Sequence, residues 1–297
     1  MLPAGEPFTV GVEEEFQIVD AGTRELRPRS APVLASARDL GDAVQPELTA
    51  AQVETVSPVC ETLADVRREL TRLRARVMAA AVANDSRVAA LGTHPVTDWL
   101  GQGVFPRERY ETLAEDFQHL ALEQQICGFH VHVCVRDAEA AIAVMDRVRP
   151  WLAVVLALTG NSPYWQGLDT GYASYRSVLF DRWPLTGTPP HLGSRGAYDD
   201  LVAELVAAGV VPDASKIYWE LRPSARFDTV EFRTADVCLT VDEAVMVAGL
   251  ARALVRTAYA ELAAGVPVAQ PHPELLRAAR WRAARYGLQG PLIDVTR

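Results

Sequence analysis

Ionisable side chains recur on one face of several segments that alternate between apolar and polar residues. Such alternation predicts β-strands in which one face packs on a core and the other carries the polar groups. The segments are 8–19, a stretch within 44–59, 127–135 and 229–238, and their polar faces carry Glu13, Glu15, Glu54, His130, His132, Glu231 and Arg233. We expect these side chains to converge on the polar face of one sheet.

Carboxylate and imidazole groups in this combination indicate a site for Mg²⁺ or Mn²⁺. Several glutamates facing one cavity would repel each other without a cation. Each feature alone has an ordinary alternative: a Glu-x-Glu strand is commonly a solvated face, and a lone histidine is commonly a hydrogen-bonded structural residue. Glu231 and Arg233 alone could form a surface ion pair of little energetic value. The metal hypothesis therefore rests on the set.

The surrounding segments predict helices that would cover the other face of this sheet. Apolar residues at three- and four-residue spacing predict helices at 62–83, 107–125, from Asp137 onward with a break at Pro150, 197–209, 240–265 and 273–286. Further strands are predicted at 87–92 and 217–222. Helices packed on one face leave the opposite face as an open polar wall. The long irregular segment 160–196 is expected to serve function.

The composition excludes several classes of protein. Lys216 is the one lysine among 29 basic residues, and it lies outside any phosphate-binding glycine loop. The formal net charge of −9 argues against nucleic acid or an anionic membrane as partner. The longest apolar run, Trp151–Thr159, is too short to span a membrane, and no signal peptide is recognisable. Four cysteines without a C-x-x-C pair favour a reducing, cytoplasmic location.

A series of motifs, in order along the chain, resembles the carboxylate–amine ligases, which are also called type-2 glutamate–cysteine ligases. The motifs are Gly-Val-Glu-Glu-Glu-Phe (11–16), Gln-Val-Glu-Thr-Val-Ser-Pro (52–58), Cys-Gly-Phe-His-Val-His-Val (127–133), Ser-Tyr-Arg (174–176) and Trp-Glu-Leu-Arg-Pro-Ser-Ala-Arg-Phe-Asp-Thr-Val-Glu-Phe-Arg-Thr-Ala-Asp (219–236). The resemblance extends from about residue 8 to the end of the sequence. Several motifs in a shared order are more specific than any one of them.

This resemblance implies an α+β fold like that of glutamine synthetase. In that fold a curved, mostly antiparallel sheet with helices on one face holds metals, ATP and glutamate on its concave face. The implied metal ligands are Glu13, Glu15, Glu54, His130 and Glu231. Arg233 is expected to act with Glu231 in catalysis by facing the transferring phosphate or the substrate. Arg222 and Arg176 are expected as further substrate or ATP contacts, and His132 as a ligand or an orienting partner.

The implied reaction joins a carboxylate to an amine at the expense of ATP, through an acyl phosphate. It requires Mg²⁺ or Mn²⁺ and takes an amino acid and an amine as substrates, and the family suggests a homodimer. Residues 1–297 would form a single catalytic domain. Relatives usually continue past the motif at 287–294 into a further helical segment, so we expect that segment to be lacking here.

Three other interpretations stay open at this stage. The chain could be a non-catalytic relative that binds nucleotide or amino acid and acts through a partner. His130-Val-His132 could belong to a Zn²⁺-dependent hydrolase, although the glutamate-rich surroundings suit a harder ion. The polar sheet face could also be merely hydrated.

Overall fold

The computed structural model describes residues 6–96 and 99–296. Its main feature is a seven-stranded sheet in which every strand pair is antiparallel, with the order β2-β3-β1-β5-β9-β8 and with β4 paired to β1. The strands, including a separate β6–β7 hairpin, are β1 Val10–Asp20, β2 Val44–Pro46, β3 Gln52–Val56, β4 Ser86–Ala89, β5 Gly128–Cys134, β6 Tyr164–Trp165, β7 Leu168–Asp169, β8 Leu221–Pro223 and β9 Thr229–Asp236. The predicted antiparallel sheet is confirmed.

Helices of the described chain account for most of the remaining regular structure. They are α1 Ser30–Ser36, α2 Leu63–Val82, α3 Glu108–Phe117, α4 His119–Leu122, α5 Ala138–Val148, α6 Leu152–Thr159, α7 Tyr175–Phe180, α8 Arg195–Ala207, α9 Val241–Ala263 and α10 Pro273–Tyr286. Short 3₁₀ turns occur at Arg38–Ala43, Arg149–Trp151, Ala214–Lys216 and Gly287–Gln289. The predicted helical segments are thus present, with one exception described below.

The helix boundaries follow from local chemistry. Thr62 begins α2 with a capping box in which its hydroxyl accepts from the Asp65 N–H while the Asp65 carboxylate accepts from the Thr62 N–H. Thr240 begins α9 in the same way. The break predicted at Pro150 is the 3₁₀ turn between α5 and α6.

Two predicted elements differ from the structure. The single helix predicted at 107–125 is divided into α3 and α4, because Gln118 adopts a φ of 48°, which ends an α-helix. The strand predicted at 217–222 is reduced to β8, because residues 217–220 form no regular ladder and the Glu220 N–H donates to the carbonyl oxygen of Gly187 in a loop.

The core lies between the apolar face of the sheet and the long helices. Valines and phenylalanines of β1, β5 and β9 pack with α2, α5 and α9 in one continuous cluster, represented by Val12, Phe129 and Phe232 from the sheet. A second cluster contains Phe16, Ile18 and residues of α1 and α2. This one-sided packing anchors the sheet and leaves the polar side chains on the opposite face.

Candidate functional site

The strand register brings the predicted glutamates and histidines together in cross-strand pairs. Glu13 of β1 lies opposite His130 of β5, and Glu15 of β1 lies opposite Glu54 of β3. His132 of β5 lies opposite Glu231 of β9. Directly opposed residues project to the same face of a sheet. The structure therefore gathers all six side chains on one face, as the sequence predicted.

Glu13 lies at the centre of this group. Its Oε2 is 2.9 Å from His130 Nδ1, and its Oε1 is 3.3 Å from His132 Nε2. The other ring nitrogen of His130 lies 3.6 Å from Glu15 Oε1. Burial alone would raise the pKa of Glu13, but the two imidazoles outweigh it and hold that pKa well below its usual range. His132 is slightly farther from Glu13 than His130 is, and its Nδ1 lies 3.0 Å from Thr229 Oγ1.

Two sets of three ligand atoms in this group are close enough to share a metal ion. Glu13, Glu54 and His130 form one set, and Glu13, His132 and Glu231 form the other, with all ligand atoms of a set within 4.8 Å of one another. Carboxylate oxygens together with an imidazole nitrogen suit Mg²⁺ or Mn²⁺, and neither of these two sets contains a cysteine. The donor sets therefore fit the cation that the resemblance implies.

The electrostatics of the neighbouring carboxylates also favour a bound cation. Burial, followed by repulsion from Glu13, Glu47 and Glu15, raises the pKa of Glu54 well above its usual range. Burial and the charge of Glu15 raise the pKa of Glu47 to about 8. Such groups must take up protons or gain a positive partner near neutral pH.

Glu231 is held between two arginines. Arg222 donates to it through Nε at 2.7 Å and Nη2 at 3.1 Å, and Arg233 Nη1 donates to the same carboxylate. Although burial opposes it, the charges of Arg233 and Arg222 hold the pKa of Glu231 well below its usual range. The remaining Nη1 of Arg222 donates to the carbonyl oxygens of Ser215 and Ile217, which shapes the turn before β8.

A small cavity of about 100 Å³ adjoins this cluster. Its polar lining includes Arg233, Arg176, Glu15, Glu47 and His130, and its apolar wall includes Phe180, Trp183 and Tyr218. The buried Nε atoms of Arg176 and Arg233 have no hydrogen-bond partner among the described residues. Two guanidinium groups with unused donors beside a cavity can bind phosphate or carboxylate.

Asp236 positions Arg176 at this cavity. The buried Asp236 carboxylate accepts hydrogen bonds from Asn161 N, Ser162 Oγ and Ser174 Oγ at 2.6–2.8 Å. Arg176 Nη1 lies 3.9 Å from the same carboxylate. The segment that leads into α7 is therefore tied to the end of β9.

Sequence reasoning did not assign Glu47 or Asp236 to the site. Glu47 follows β2 and enters the cavity from a connection, where strand alternation carries no information. Asp236 follows a bulge: Phe129 pairs with Ala235 but Val131 pairs with Phe232, so β9 has one extra residue. The extra residue turns Asp236 to the site side, and only the motif 219–236 pointed to it.

Comparison with known sequences places this chain in a family. Residues 9–297 match Glutamate-cysteine ligase family 2 (GCS2), and the chain belongs to that family. It is 41% identical over 292 residues to a protein of Rhodopirellula baltica provisionally named glutamate–cysteine ligase 2, covering 96% of this chain and 78% of the relative. It is 45% identical over 286 residues to a Frankia casuarinae protein provisionally named glutamate–cysteine ligase 2-2. That match covers 96% of this chain but spans only 33% of the relative.

Solved structures share the fold. The glutamate–cysteine ligase of Francisella tularensis, determined in complex with AMP, aligns with a TM-score of 0.70 at 12% identity, covering 97% of this chain and 73% of that one. A bifunctional glutathione synthetase from Pasteurella multocida aligns with a TM-score of 0.68 at 16% identity, covering 94% of this chain and 42% of that one. The fold predicted from the motifs is confirmed. Across the described residues, no helix combines the length and the apolar character that a membrane crossing requires.

Proposed function

We propose that this chain carries the active site of an ATP-dependent carboxylate–amine ligase of the glutamate–cysteine ligase type. The observation that carries the proposal is the convergence of six side chains beside Arg233 on one sheet face. The six are Glu13, Glu15, Glu54, His130, His132 and Glu231. Membership in the family supports the same activity.

The metal ligands in this proposal are Glu13, Glu15, Glu54, His130 and Glu231, with His132 as a sixth candidate. Bound Mg²⁺ or Mn²⁺ would supply positive charge to the β- and γ-phosphates of ATP. The two three-residue sets share Glu13, so this residue is expected to be the most sensitive to substitution.

The arginines act on the reacting groups. Arg233, fixed by Glu231, lines the cavity, and its guanidinium would stabilise charge on the transferring phosphoryl group. Arg176, whose Nη2 donates to the Arg233 carbonyl oxygen at 3.4 Å, would hold a carboxylate or phosphate in the same cavity. Arg222 uses Nε, Nη1 and Nη2 on protein oxygens, so we assign it to holding Glu231 in place.

The reaction then proceeds in two displacements. A carboxylate oxygen of the donor attacks the γ-phosphorus of ATP and ADP leaves, which forms an acyl phosphate. The amine attacks the acyl carbon and phosphate leaves, which forms the amide. Positioning and electrostatics supply the catalysis. No protein nucleophile is required, and burial raises the pKa of the Cys127 thiol well above its usual range.

The test is a coupled ADP-release assay with Mg²⁺ or Mn²⁺, glutamate and other amino acids as donors, and a panel of amines that includes cysteine. We expect turnover that needs donor and amine together. Glu13→Ala and Glu231→Ala should abolish it, while Glu204→Ala on the exposed side of α8 should not change it. Near-normal product formation by either site variant would refute the metal assignment.

The same assay separates the alternative functions. Calorimetric binding of ATP without product across the panel would favour a non-catalytic relative. Hydrolysis that needs Zn²⁺ but no ATP would favour a metallohydrolase built on His130 and His132. The proposal also includes a homodimer, which light scattering tests. It further includes a single catalytic domain over residues 1–297 and a cytoplasmic location.

A further inference from the structure

A second cleft lies away from the catalytic face. It occupies about 780 Å³ between the connection that precedes α8 and the start of α10, and it shares no lining residue with the cavity beside Arg233. Prolines form much of its wall, including Pro189, Pro190 and Pro271, together with Leu276. Because proline fixes its own backbone torsion, these walls are rigid and largely preformed.

Arg149 contributes a buried positive charge to this cleft. Its exposed fraction is 4%, and its Nε donates to the carbonyl oxygen of Pro189 at 2.7 Å. Its Nη1 is buried without a hydrogen-bond partner, and it has no ion pair within the parts of the chain that the structure describes. Burial lowers the pKa of Arg149, opposed by the charge of Asp146. A buried charge without a partner is costly.

The neighbouring acidic groups are already engaged. Asp146 accepts hydrogen bonds from Leu192 N and Gly193 N at 3.0 and 2.8 Å and lies 3.1 Å from His191 Nδ1. It therefore holds the backbone of the cleft wall, and no ion pair joins it to Arg149 in the described residues.

The other arginines of the cleft have partners. Arg280 is paired with Glu220 and with Asp181. Arg277 is paired with Glu274 at the exposed rim. Arg149 is therefore the arginine of this cleft that forms no ion pair among the described residues, although the charge of Asp146 acts on it from a longer distance.

We propose that this cleft binds a small organic carboxylate with an apolar body. The carboxylate would pair with the guanidinium of Arg149, which lines the cleft, since guanidinium and carboxylate form strong, geometrically matched hydrogen bonds. The apolar body would lie against the prolines and Leu276. This site is independent of the ligase proposal, because none of its lining residues takes part in the proposed reaction.

Calorimetry on the full chain tests the site, with sodium benzoate as the probe. Benzamide, its neutral isostere, and inorganic phosphate serve as comparisons. We expect saturable binding of benzoate and at least about tenfold weaker binding of benzamide, because the amide loses the charge-assisted bond. Phosphate, which has no apolar body, should also bind at least about tenfold more weakly.

Matched arginine variants then locate the site. Arg149→Gln should weaken benzoate binding by about tenfold or more, whereas Arg277→Gln, at the rim of the same cleft, should change it less than about twofold. Mn²⁺ binding at the catalytic face should be unchanged in Arg149→Gln. If Arg149→Gln does not fold, Gln270→Glu becomes the decisive variant. A carboxylate at this exposed position of the cleft wall should repel benzoate and weaken its binding several-fold.

Three results would overturn the proposal. The first is the absence of saturable benzoate binding by the unaltered chain. The second is phosphate binding as tight as benzoate binding, and the third is a benzoate affinity that is unchanged in the decisive variant. Loss of ligase turnover would leave all three measurements unaffected.

Discussion

Gly128 shows how closely the site residues are packed. A Cβ atom at this position would lie 2.4 Å from Arg176 Nη2 and 3.0 Å from His130 Nε2. Both are ends of side chains that face the candidate site, so any larger residue must displace them. The glycine directly before the Phe-His-Val-His segment is therefore required by the site and not by backbone torsion.

Gly128→Ala is expected to reduce ligase turnover by about 100-fold, because small displacements of positioning groups are costly. The melting temperature should change little, since side-chain ends can move. Gly11→Ala is the matched control, because its Cβ would meet His132 Cβ at an ordinary 3.7 Å. Equal activities for the two variants would contradict this account.

The raised pKa of Glu47 predicts that the free energy of unfolding of the metal-free protein depends on pH. Its pKa rises from an ordinary 4.5 to about 8 on folding. Between these values the folded state keeps a proton that the unfolded state has lost, so the free energy of unfolding falls as pH rises through that window. One such group contributes at most about 1.4 kcal/mol per pH unit.

Urea unfolding in EDTA from pH 6 to pH 9 measures this effect. Glu47→Gln should show a flatter decline of stability than the unaltered chain, while Glu204→Gln on α8 should follow the unaltered chain. A slope that Glu47→Gln leaves unchanged would assign the pH dependence to other groups.

Strand β1 carries charged side chains on both of its faces. Its site face carries Glu13 and Glu15, and between them Glu14 points toward the helices with an exposed fraction of 0%. Arg74 of α2 pairs with Glu14 at 2.6 Å and also donates to the carbonyl oxygens of Cys238 and Leu239. This buried pair joins α2, β1 and the segment directly after β9, and thereby helps to fix the position of β1 against the helices.

Arg74→Met is expected to lower the free energy of unfolding by about 3–5 kcal/mol, because it leaves Glu14 buried without a partner. Arg72→Met removes an exposed arginine that pairs with Glu69 on the same helix, and it should lower the free energy of unfolding by no more than about 1 kcal/mol. Urea unfolding gives both values. The double variant Glu14→Met, Arg74→Met should recover much of the loss, and a double variant no more stable than Arg74→Met would argue against the unpaired charge as the cause.

The whole molecule carries a formal charge of −9 and concentrates carboxylates on one face of its sheet. This arrangement would link cation binding to folding, because an ion that binds only the folded state stabilises it by mass action. A cation bound at the candidate metal site would therefore also raise the stability of the whole molecule.

Mn²⁺ or Mg²⁺ is expected to raise the melting temperature by several degrees, since a ligand at 100 times its Kd contributes about 2.7 kcal/mol. EDTA should reverse the rise, and NaCl at equal ionic strength should not reproduce it. Glu13→Ala should abolish it, because Glu13 belongs to both ligand sets. A rise of the same size in Glu13→Ala would place the binding elsewhere.

The sequence by itself determined which residues share a face of each strand, because side-chain direction alternates along a strand whatever lies beside it. Period-two patterning separated Glu13 and Glu15 from the core, and the motif order pointed to the fold. The helices bounded by Thr62 and Thr240 followed from capping chemistry of a few neighbouring residues. All of these signals are local.

The tertiary structure alone decided the rest. Pairing Glu13 with His130 and Glu15 with Glu54 depends on strand register, which long-range contacts set. Glu47 reaches the cavity from a connection, and a bulge turns Asp236 toward Arg176. These features depend on residues far apart in the chain coming into contact, and that information is absent from any single segment.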